Sequence, residues 1–212
     1  MKNILCFGDS NTWGYNAETK DRFPVHIRWT GILSQRLESE YRIIEEGLNG
    51  RTTVWDDPIG GYKNGKEYLI PSIESHKPID LVIIMLGTND LKKRFSLTAF
   101  DIAAGAGVLV EIVLKSNAGN HGHPPKVLLI SPTHIGDIAK SEFADIFDVE
   151  NVTAISKKLA DHYRNISTNF GCEFLDAAAI VVPSPIDAIH FDAGSHMKFG
   201  EAITEKVRNI FG

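Results

Sequence analysis

The sequence predicts an α/β fold in which helices cover both faces of a parallel β-sheet. Apolar, β-rich runs alternate along the whole chain with segments whose apolar residues recur at helical spacing. This alternation is typical of a parallel sheet, because parallel strands are joined by crossover connections that are usually helices. Several of the strand-like runs are almost continuously apolar, which indicates strands that are covered on both faces.

Each element follows from these patterns in turn. The predicted strands are residues 3–7, 41–45, 81–86, 127–130 and 172–175. Residues 98–115 form the most apolar helix candidate, and we expect them to pack deeply against the sheet. Three further helices have one apolar face each: Trp29, Ile32, Leu33 and Leu37 in the first, Val152, Ile155, Leu159, Tyr163 and Ile166 in the second, and Phe199, Ile203, Val207 and Ile210 in the last. The segments 56–66 and 116–126 are predicted loops, because Gly, Asn and Pro are frequent in them.

Length and composition predict a single domain over residues 1–212, since no linker, repeat or low-complexity segment divides the chain. The net charge of −5 does not provide the basic face that a nucleic acid or an anionic membrane surface would need. No apolar run has the length of a membrane helix, and the N-terminal run is too short for a signal peptide. We therefore expect a cytoplasmic protein, and expect Cys6 and Cys172 to be buried thiols.

Small polar residues follow the first three predicted strands. The segments 8–10, 47–51 and 87–90 each combine glycine with Asp, Asn or Ser. Ligands of open parallel sheets bind beyond the carboxyl ends of the strands, so we expect these segments to lie along one edge and to form a functional site.

Ser10 is a candidate nucleophile, although a serine directly after a strand is usually a turn residue or a helix cap. A nucleophilic serine needs a base and a group that orients the base. Among the eight histidines, His190 stands out because Asp187 precedes it by three residues, in the only D-x-x-H of the chain. At this spacing a carboxylate can bind the ring nitrogen that faces away from the serine. Asp and His are also common near helix starts, so the pattern alone is weak.

Donors for an oxyanion complete the candidate site. Ser10 and Gly50 can offer main-chain N–H groups, and Asn89 can offer its side-chain amide. Taken alone, a glycine in the position of Gly50 is usually a turn residue, and an asparagine in the position of Asn89 is usually a turn or cap residue. Together, four separate segments supply the residue types that this chemistry requires.

Four segments also resemble the sequence blocks of the SGNH hydrolases, also called the GDSL esterase/lipase family. They are GDSNTWG (8–14), EEGLNGRTT (45–53), LGTND (86–90) and DAIH (187–190), in the family's order. The resemblance implies a flavodoxin-like, three-layer α/β/α sandwich with a five-stranded parallel sheet. By position, it implies Ser10 as nucleophile, His190 as general base, Asp187 as its orienting group, and Ser10, Gly50 and Asn89 as the oxyanion hole.

A closer resemblance links ILCFGDSNTWGY, IRWTGILSQRL and LVIIMLGTND to the intracellular bacterial arylesterase/acyltransferase branch of this family. It implies a serine esterase for short-chain, acetyl-type esters that can also transfer acyl groups to alcohols or peroxide. It further implies a homo-oligomer, and the expected mechanism needs neither a metal nor a nucleotide cofactor.

Residues that contact substrate are harder to predict. Trp13, Ile189 and Phe147 are candidates, and for Trp13 and Phe147 ordinary packing is an equal alternative.

Other activities also remain open at this point: a carbohydrate acetylesterase or lysophospholipase of the same family, or a non-enzymatic flavodoxin-like module that binds FMN or a phosphate.

Overall fold

A five-stranded parallel sheet forms the centre of the structure, a computed structural model that describes residues 1–212. Its strands are β1 (Lys2–Gly8), β2 (Tyr41–Gly47), β3 (Leu81–Met85), β4 (Lys126–Ser131) and β5 (Glu173–Asp176). The strands are arranged in the order β2-β1-β3-β4-β5, and all neighbouring pairs are parallel. This is the doubly wound order found in flavodoxin-like sheets.

Seven α-helices connect and flank the strands. They are α1 (Ser10–Trp13), α2 (Trp29–Leu37), α3 (Gly65–His76), α4 (Ala99–Leu114), α5 (Val152–Ser156), α6 (Leu159–Phe170) and α7 (Ala193–Phe211). None of them combines the length and the apolar composition that a membrane crossing requires.

The alternation of side chains along β1 explains the three layers. Leu5 and Phe7 belong to an apolar core shared with α3, α4 and α6. Ile4 and Cys6 belong to a second core, shared with α2 and α7. Successive side chains of a strand point to opposite faces, so an uninterrupted apolar strand needs helices on both sides.

Two helices differ from the sequence prediction. The predicted helix through residues 152–166 is divided into α5 and α6. The Ser156 side chain accepts a hydrogen bond from the main-chain N–H of Ile135 at 3.0 Å and donates to the carbonyl of Thr153 at 2.8 Å. Such side-chain bonds compete with helical ones. The predicted loop 56–66 ends earlier, because the Asn64 side chain caps α3.

The register of the sheet places three strand ends at one level. Gly8 of β1 lies opposite Gly47 of β2 on one side and Met85 of β3 on the other. The segments that follow these strands therefore start side by side at the carboxyl edge of the sheet.

His196, near the start of α7, is a fully buried histidine. Its ring packs edge-on against Phe23 and Phe191, with centroid distances of 5.4 and 5.5 Å. Its Nδ1 atom accepts a hydrogen bond from the main-chain N–H of Trp29 at 3.3 Å, whereas Nε2 is buried without a partner. Burial disfavours the charged ring and lowers the pKa of His196 to about 3.

Because of this low pKa, we expect acidic pH to destabilise the folded protein. The unfolded chain takes up the proton near pH 6.5 and the folded protein only near pH 3, so the unfolded state is favoured as the pH falls between these values. The contribution of His196 to the free energy of unfolding should fall by about 2 kcal/mol between about pH 6.5 and pH 5. Denaturant unfolding of the wild type and of His196→Asn measures it, because asparagine keeps an acceptor for Trp29 and does not titrate.

The difference between the wild type and His196→Asn does not contain the effects of other titrating groups. Burial raises the pKa of both Asp9 and Asp90 to about 6, and these carboxyls favour the folded state as the pH falls. Both proteins contain them, so they cancel in the difference. Equal pH dependence of unfolding in the two proteins would contradict the prediction.

Candidate active site

Ser10 is the first residue of α1, immediately beyond the end of β1. The Asp9 side chain caps this one-turn helix by accepting a hydrogen bond from the main-chain N–H of Asn11 at 3.0 Å. A side chain at Gly8 would lie 2.0 Å from the hydroxyl of Thr12, so only glycine permits this sharp change from strand to helix. The turn leaves Ser10 at the carboxyl edge of the sheet.

His190 and Asp187 reach Ser10 from the segment that precedes α7. The Nε2 atom of His190 is 2.8 Å from the Oγ atom of Ser10, and its Nδ1 atom is 2.5 Å from the Oδ2 atom of Asp187. The other carboxylate oxygen of Asp187 accepts hydrogen bonds from the main-chain N–H groups of Ile189 and His190, at 3.0 and 2.9 Å. The structure therefore brings the three predicted residues into one continuous chain of hydrogen bonds.

The environment of Asp187 favours its ionised form. Burial would raise the pKa of this carboxyl, but the hydrogen bonds from His190 and Ile189 outweigh burial and hold the pKa below its ordinary value. An ionised Asp187 is thus available to bind the Nδ1–H group of His190.

A turn in the chain allows these contacts to form between close neighbours. Ala188 adopts a left-handed conformation with φ 64°, which turns the chain back toward the Asp187 carboxylate. The main-chain N–H of Ala188 donates to the carbonyl of Ser184 at 2.8 Å, and that of Gly136 donates to the carbonyl of Ala188 at 2.9 Å. These contacts fix the turn from within the segment and from the loop after β4.

Gly50 and Asn89, the predicted oxyanion donors, line the same cavity as Ser10. Gly50 has a φ of 82°, a conformation that glycine adopts without strain. Asn89 begins a short 3₁₀ turn after β3, and its Nδ2 atom donates to the main-chain carbonyl of Arg51 at 3.1 Å. This bond orients the Asn89 amide and leaves its second N–H available.

Arg51 and Asp90 form a buried polar layer beneath these donors. The Arg51 guanidinium lies 4.1 Å from the centre of the Phe7 ring and donates to the main-chain carbonyls of Gly8, at 2.9 Å, and Glu46. Burial lowers the pKa of Arg51 to about 10. The Asp90 carboxylate binds the main-chain N–H and the hydroxyl of Thr53. These contacts join the ends of β1 and β2 to the segments that carry Gly50 and Asn89.

A cavity of about 250 Å³ opens at Ser10. Its walls consist of twelve residues: Ser10, Tyr15, Asn49, Gly50, Thr88, Asn89, Lys92, Phe143, Ile146, Phe147, Ile189 and His190. The rings of Tyr15 and Phe143 flank His190, with centroid distances of 4.4 and 5.9 Å.

The predicted substrate contacts differ in their positions. Ile189 and Phe147 line the cavity, whereas Trp13 lies outside it. The Trp13 ring packs instead against the guanidinium of Arg22, 5.2 Å from the ring centre. Arg22 also donates to the carbonyl of Trp13 at 2.7 Å. The contacts with Arg22 thus hold the Trp13 ring outside the cavity.

Lys92 is a cavity residue that the sequence did not indicate. Its ammonium group is 3.4 Å from the buried carboxylate of Asp57, which also binds Arg94 at 2.9 Å. Burial lowers the pKa of Lys92. A lysine three residues after Asn89 carries no signal by itself, because its position depends on the loop that contributes Asp57. No group of three or more His, Cys, Asp or Glu side chains in the structure could hold a metal ion.

Comparisons with known proteins identify the family. The model of the GDSL-like lipase/acylhydrolase family matches residues 6–197. A carbohydrate acetylesterase from Sinorhizobium meliloti has a TM-score of 0.92 and 39% sequence identity, over 99% of this chain and 100% of that chain. An aryl esterase from M. smegmatis has a TM-score of 0.92 and 40% identity, over 99% of each chain.

A more distant relative is YqeF, an uncharacterized lipoprotein of Bacillus subtilis. It is 29% identical over 89 residues, which are 42% of this chain and 32% of its own length, so the chain matches about a third of that relative.

The matches to the carbohydrate acetylesterase and the aryl esterase confirm the predicted α/β fold with a five-stranded parallel sheet. The predicted enzyme class, a hydrolase of carboxylic esters, is the class of the matching family and of both structures. The chain belongs to the GDSL-like lipase/acylhydrolase family, as the four sequence blocks predicted.

Proposed function

We propose that residues 1–212 form a single serine esterase domain that hydrolyses short-chain, acetyl-type esters. Ser10 is the nucleophile, His190 the general base and Asp187 the group that orients His190. The observation that carries the proposal is the chain of contacts from Ser10 through His190 to Asp187, at 2.8 and 2.5 Å, on the wall of a cavity.

The chemistry follows from these contacts. His190 removes the proton of Ser10 as the Oγ atom attacks the ester carbonyl, and Asp187 stabilises the imidazolium that forms. Collapse of the tetrahedral intermediate breaks the bond to the alcohol, which leaves with the proton from His190. Water then attacks the acyl-enzyme, again with His190 as base, and releases the acid and free Ser10.

The negative charge on the carbonyl oxygen needs donors that are already in place. We assign this role to the main-chain N–H groups of Ser10 and Gly50 and to the Nδ2 group of Asn89. All three residues line the cavity, and the Arg51 carbonyl holds one N–H of the Asn89 amide. Donors fixed in this way need little reorganisation when the charge develops.

The cavity supports a preference for small acyl groups. Its volume of about 250 Å³ lies below the range of about 300–1,000 Å³ that is common for ligand sites, which disfavours the long acyl chain of a lysophospholipid. Both structural neighbours are named as esterases, one of them for carbohydrate acetates. Acetylated carbohydrates are therefore the second candidate substrate class for this chain.

The experiment that tests the proposal is labelling with a serine-directed phosphonate, combined with hydrolysis of 4-nitrophenyl esters of increasing chain length. We expect one phosphonate per chain, located by peptide mass spectrometry at Ser10, and an initial burst of 4-nitrophenol. The rate should fall as the acyl chain lengthens. Labelling of another residue, or full activity after Ser10 is labelled, would overturn the assignment.

Replacement of Phe143 by alanine should widen the acyl preference. The Phe143 ring lines the cavity beside His190, and its removal enlarges the cavity next to Ser10 and His190. We expect the ratio of kcat/KM for the butyrate to that for the acetate to rise about tenfold, the discrimination typical of a small apolar difference in a pocket. The matched control is Phe100→Ala, because Phe100 is 65% exposed on α4 and does not line the cavity. An unchanged ratio in Phe143→Ala would show that this ring does not limit chain length.

Acyl transfer is a further part of the proposal. The aromatic rings of Tyr15 and Phe143 beside His190 offer an apolar surface on which an alcohol can compete with water for the acyl-enzyme. Hydrolysis of 4-nitrophenyl acetate in the presence of an alcohol, with the alkyl acetate and acetate quantified, measures the partition. Acetate as the only product would exclude transfer to that alcohol.

We also propose that the protein is a homo-oligomer. Ile59 and Tyr62, on the loop before α3, are 78% and 84% exposed, and large exposed apolar side chains are frequent at interfaces. Light scattering on the purified protein gives the mass in solution. A monomer at micromolar concentration would contradict this proposal and leave the triad unaffected.

A further inference from the structure

Asn11 connects the helix of the nucleophile to the main chain around His190. The Oδ1 atom of Asn11 accepts a hydrogen bond from the main-chain N–H of Phe191 at 2.9 Å. The Nδ2 atom of Asn11 donates to the main-chain carbonyl of Ile189 at 3.4 Å. The first contact has the length of an ordinary hydrogen bond and the second is weaker. One amide thus holds the residues on both sides of His190.

The remaining main-chain contacts of His190 lie within its own segment. The N–H of His190 donates to Asp187 at 2.9 Å, and its carbonyl accepts from the N–H of Ser184 at 2.7 Å. These two bonds shape the segment 184–191 but do not attach it to α1. Apart from the contact between Ser10 and His190 themselves, the hydrogen bonds between α1 and this segment come from Asn11.

Asn11 is itself held firmly. Asn11 is buried, with a relative exposure of 3%, so water competes little for its amide. The Asp9 carboxylate accepts from its main-chain N–H, and its carbonyl accepts from the Nε1 atom of Trp29 at 3.0 Å. The bond to Asp9 fixes the Asn11 main chain at the start of α1, so the amide projects from a set point one peptide bond from Ser10, and the bond from Trp29 adds stability.

We propose that Asn11 is a positioning residue that sets the distance between the Oγ atom of Ser10 and the Nε2 atom of His190. The inference rests on the proposed roles of Ser10 and His190. Without the Asn11 amide, His190 keeps its contact with Asp187, because both belong to the same segment. The segment then keeps its bond to the loop after β4, at Gly136, but has no hydrogen bond to α1 other than the one between Ser10 and His190 themselves. It can therefore shift relative to α1, and the nucleophile and its base separate.

The test is Asn11→Leu, which keeps the approximate shape of the side chain and removes both hydrogen bonds. We expect kcat for 4-nitrophenyl acetate to fall by about 10²-fold, the effect of a misplacement of about 1 Å, with little change in KM. The pH at which activity declines on the acidic side should not move, because the contact between His190 and Asp187 is retained. Rates are expressed per Ser10 labelled with phosphonate at completion, so that unfolded protein does not contribute.

The matched control is Trp29→Phe, which deletes the hydrogen bond to the Asn11 carbonyl and leaves both side-chain bonds of Asn11 in place. We expect this control to lose thermal stability and to keep its kcat. If Asn11→Leu also keeps its kcat while losing stability, Asn11 is a packing residue and the proposal is wrong. A shift of the acidic limb in Asn11→Leu would equally overturn it, because the contact between His190 and Asp187 would then depend on Asn11.

Two further arms keep the test decisive. If Asn11→Leu does not fold, Asn11→Ala, which removes the same two bonds without a branched side chain, is measured in the same way. Phosphonate labelling of the wild type distinguishes a failure of the proposed function from a failure of the proposed role of Asn11. A wild type that is not labelled at Ser10 overturns the proposed function, whereas normal labelling with an unaffected kcat in the variant overturns the role of Asn11 alone.

Discussion

Replacement of Ser10 by alanine is expected to lower kcat for 4-nitrophenyl acetate by about 10⁶-fold, the scale seen when a serine hydrolase loses its nucleophile. The variant lacks the oxygen that we propose attacks the carbonyl, so no acyl-enzyme should form. The proposed oxyanion donors remain, and residual catalysis of about 10³-fold over water would be consistent with them. The measurement is steady-state hydrolysis together with phosphonate labelling, which should fail in the variant.

The control for this variant has to exclude a general loss of structure. Ser10 is buried and its hydroxyl contacts only His190 among the side chains, so alanine should leave the fold intact. Thermal unfolding of the variant should therefore resemble that of the wild type. Retention of more than about 1% of the wild-type kcat, after traces of host esterase are removed, would contradict Ser10 as the nucleophile, given the 10⁶-fold scale.

Asp187→Asn should cause the second largest loss, about 10⁴-fold in kcat. An asparagine Oδ1 atom can still accept from the main-chain N–H groups of Ile189 and His190. Its amide nitrogen then faces the Nδ1 atom of His190 and donates to it. This arrangement favours the tautomer of His190 that carries its proton on Nε2, which cannot accept the proton of Ser10.

Asp192→Asn is the matched control for this substitution. Asp192 caps α7 by accepting from the main-chain N–H of Ser195 at 2.7 Å, and asparagine caps helices about as well as aspartate. The same chemical change five residues from Asp187 should thus leave kcat within about twofold, since substitutions away from special sites change free energies by about 0.5 kcal/mol. Similar kcat values for the two variants would show that Asp187 has no special role in orienting His190.

The sheet and the chain of Ser10, His190 and Asp187 could be predicted because their signals are local. An apolar run such as 81–86 identifies a strand covered on both faces, and a D-x-x-H spacing indicates that two side chains can meet within one turn. The family resemblance adds the flavodoxin-like sandwich with a five-stranded sheet. The pattern of residues predicted the fold class, while the residues that surround Ser10 depend on contacts between distant segments.

Those distant contacts explain what the sequence did not reveal. Trp13 and Tyr15 are aromatic residues of similar sequence context, yet only Tyr15 lines the cavity, because Arg22 holds the Trp13 ring elsewhere. Lys92 enters the cavity through its pairing with Asp57, 35 residues away. The helix α3 contains Pro71, which obscures its pattern, and its start depends on the cap at Asn64.

The separation of Ser10 and His190 along the chain has a consequence for biosynthesis. The proposed nucleophile and its proposed base lie 180 positions apart along the chain. At about 5–20 residues per second, a ribosome adds His190 roughly 10 to 40 s after Ser10. During this interval the growing polypeptide carries Ser10 without its proposed base, and the contact between the two residues can form only when β5 and the segment behind it have emerged and docked.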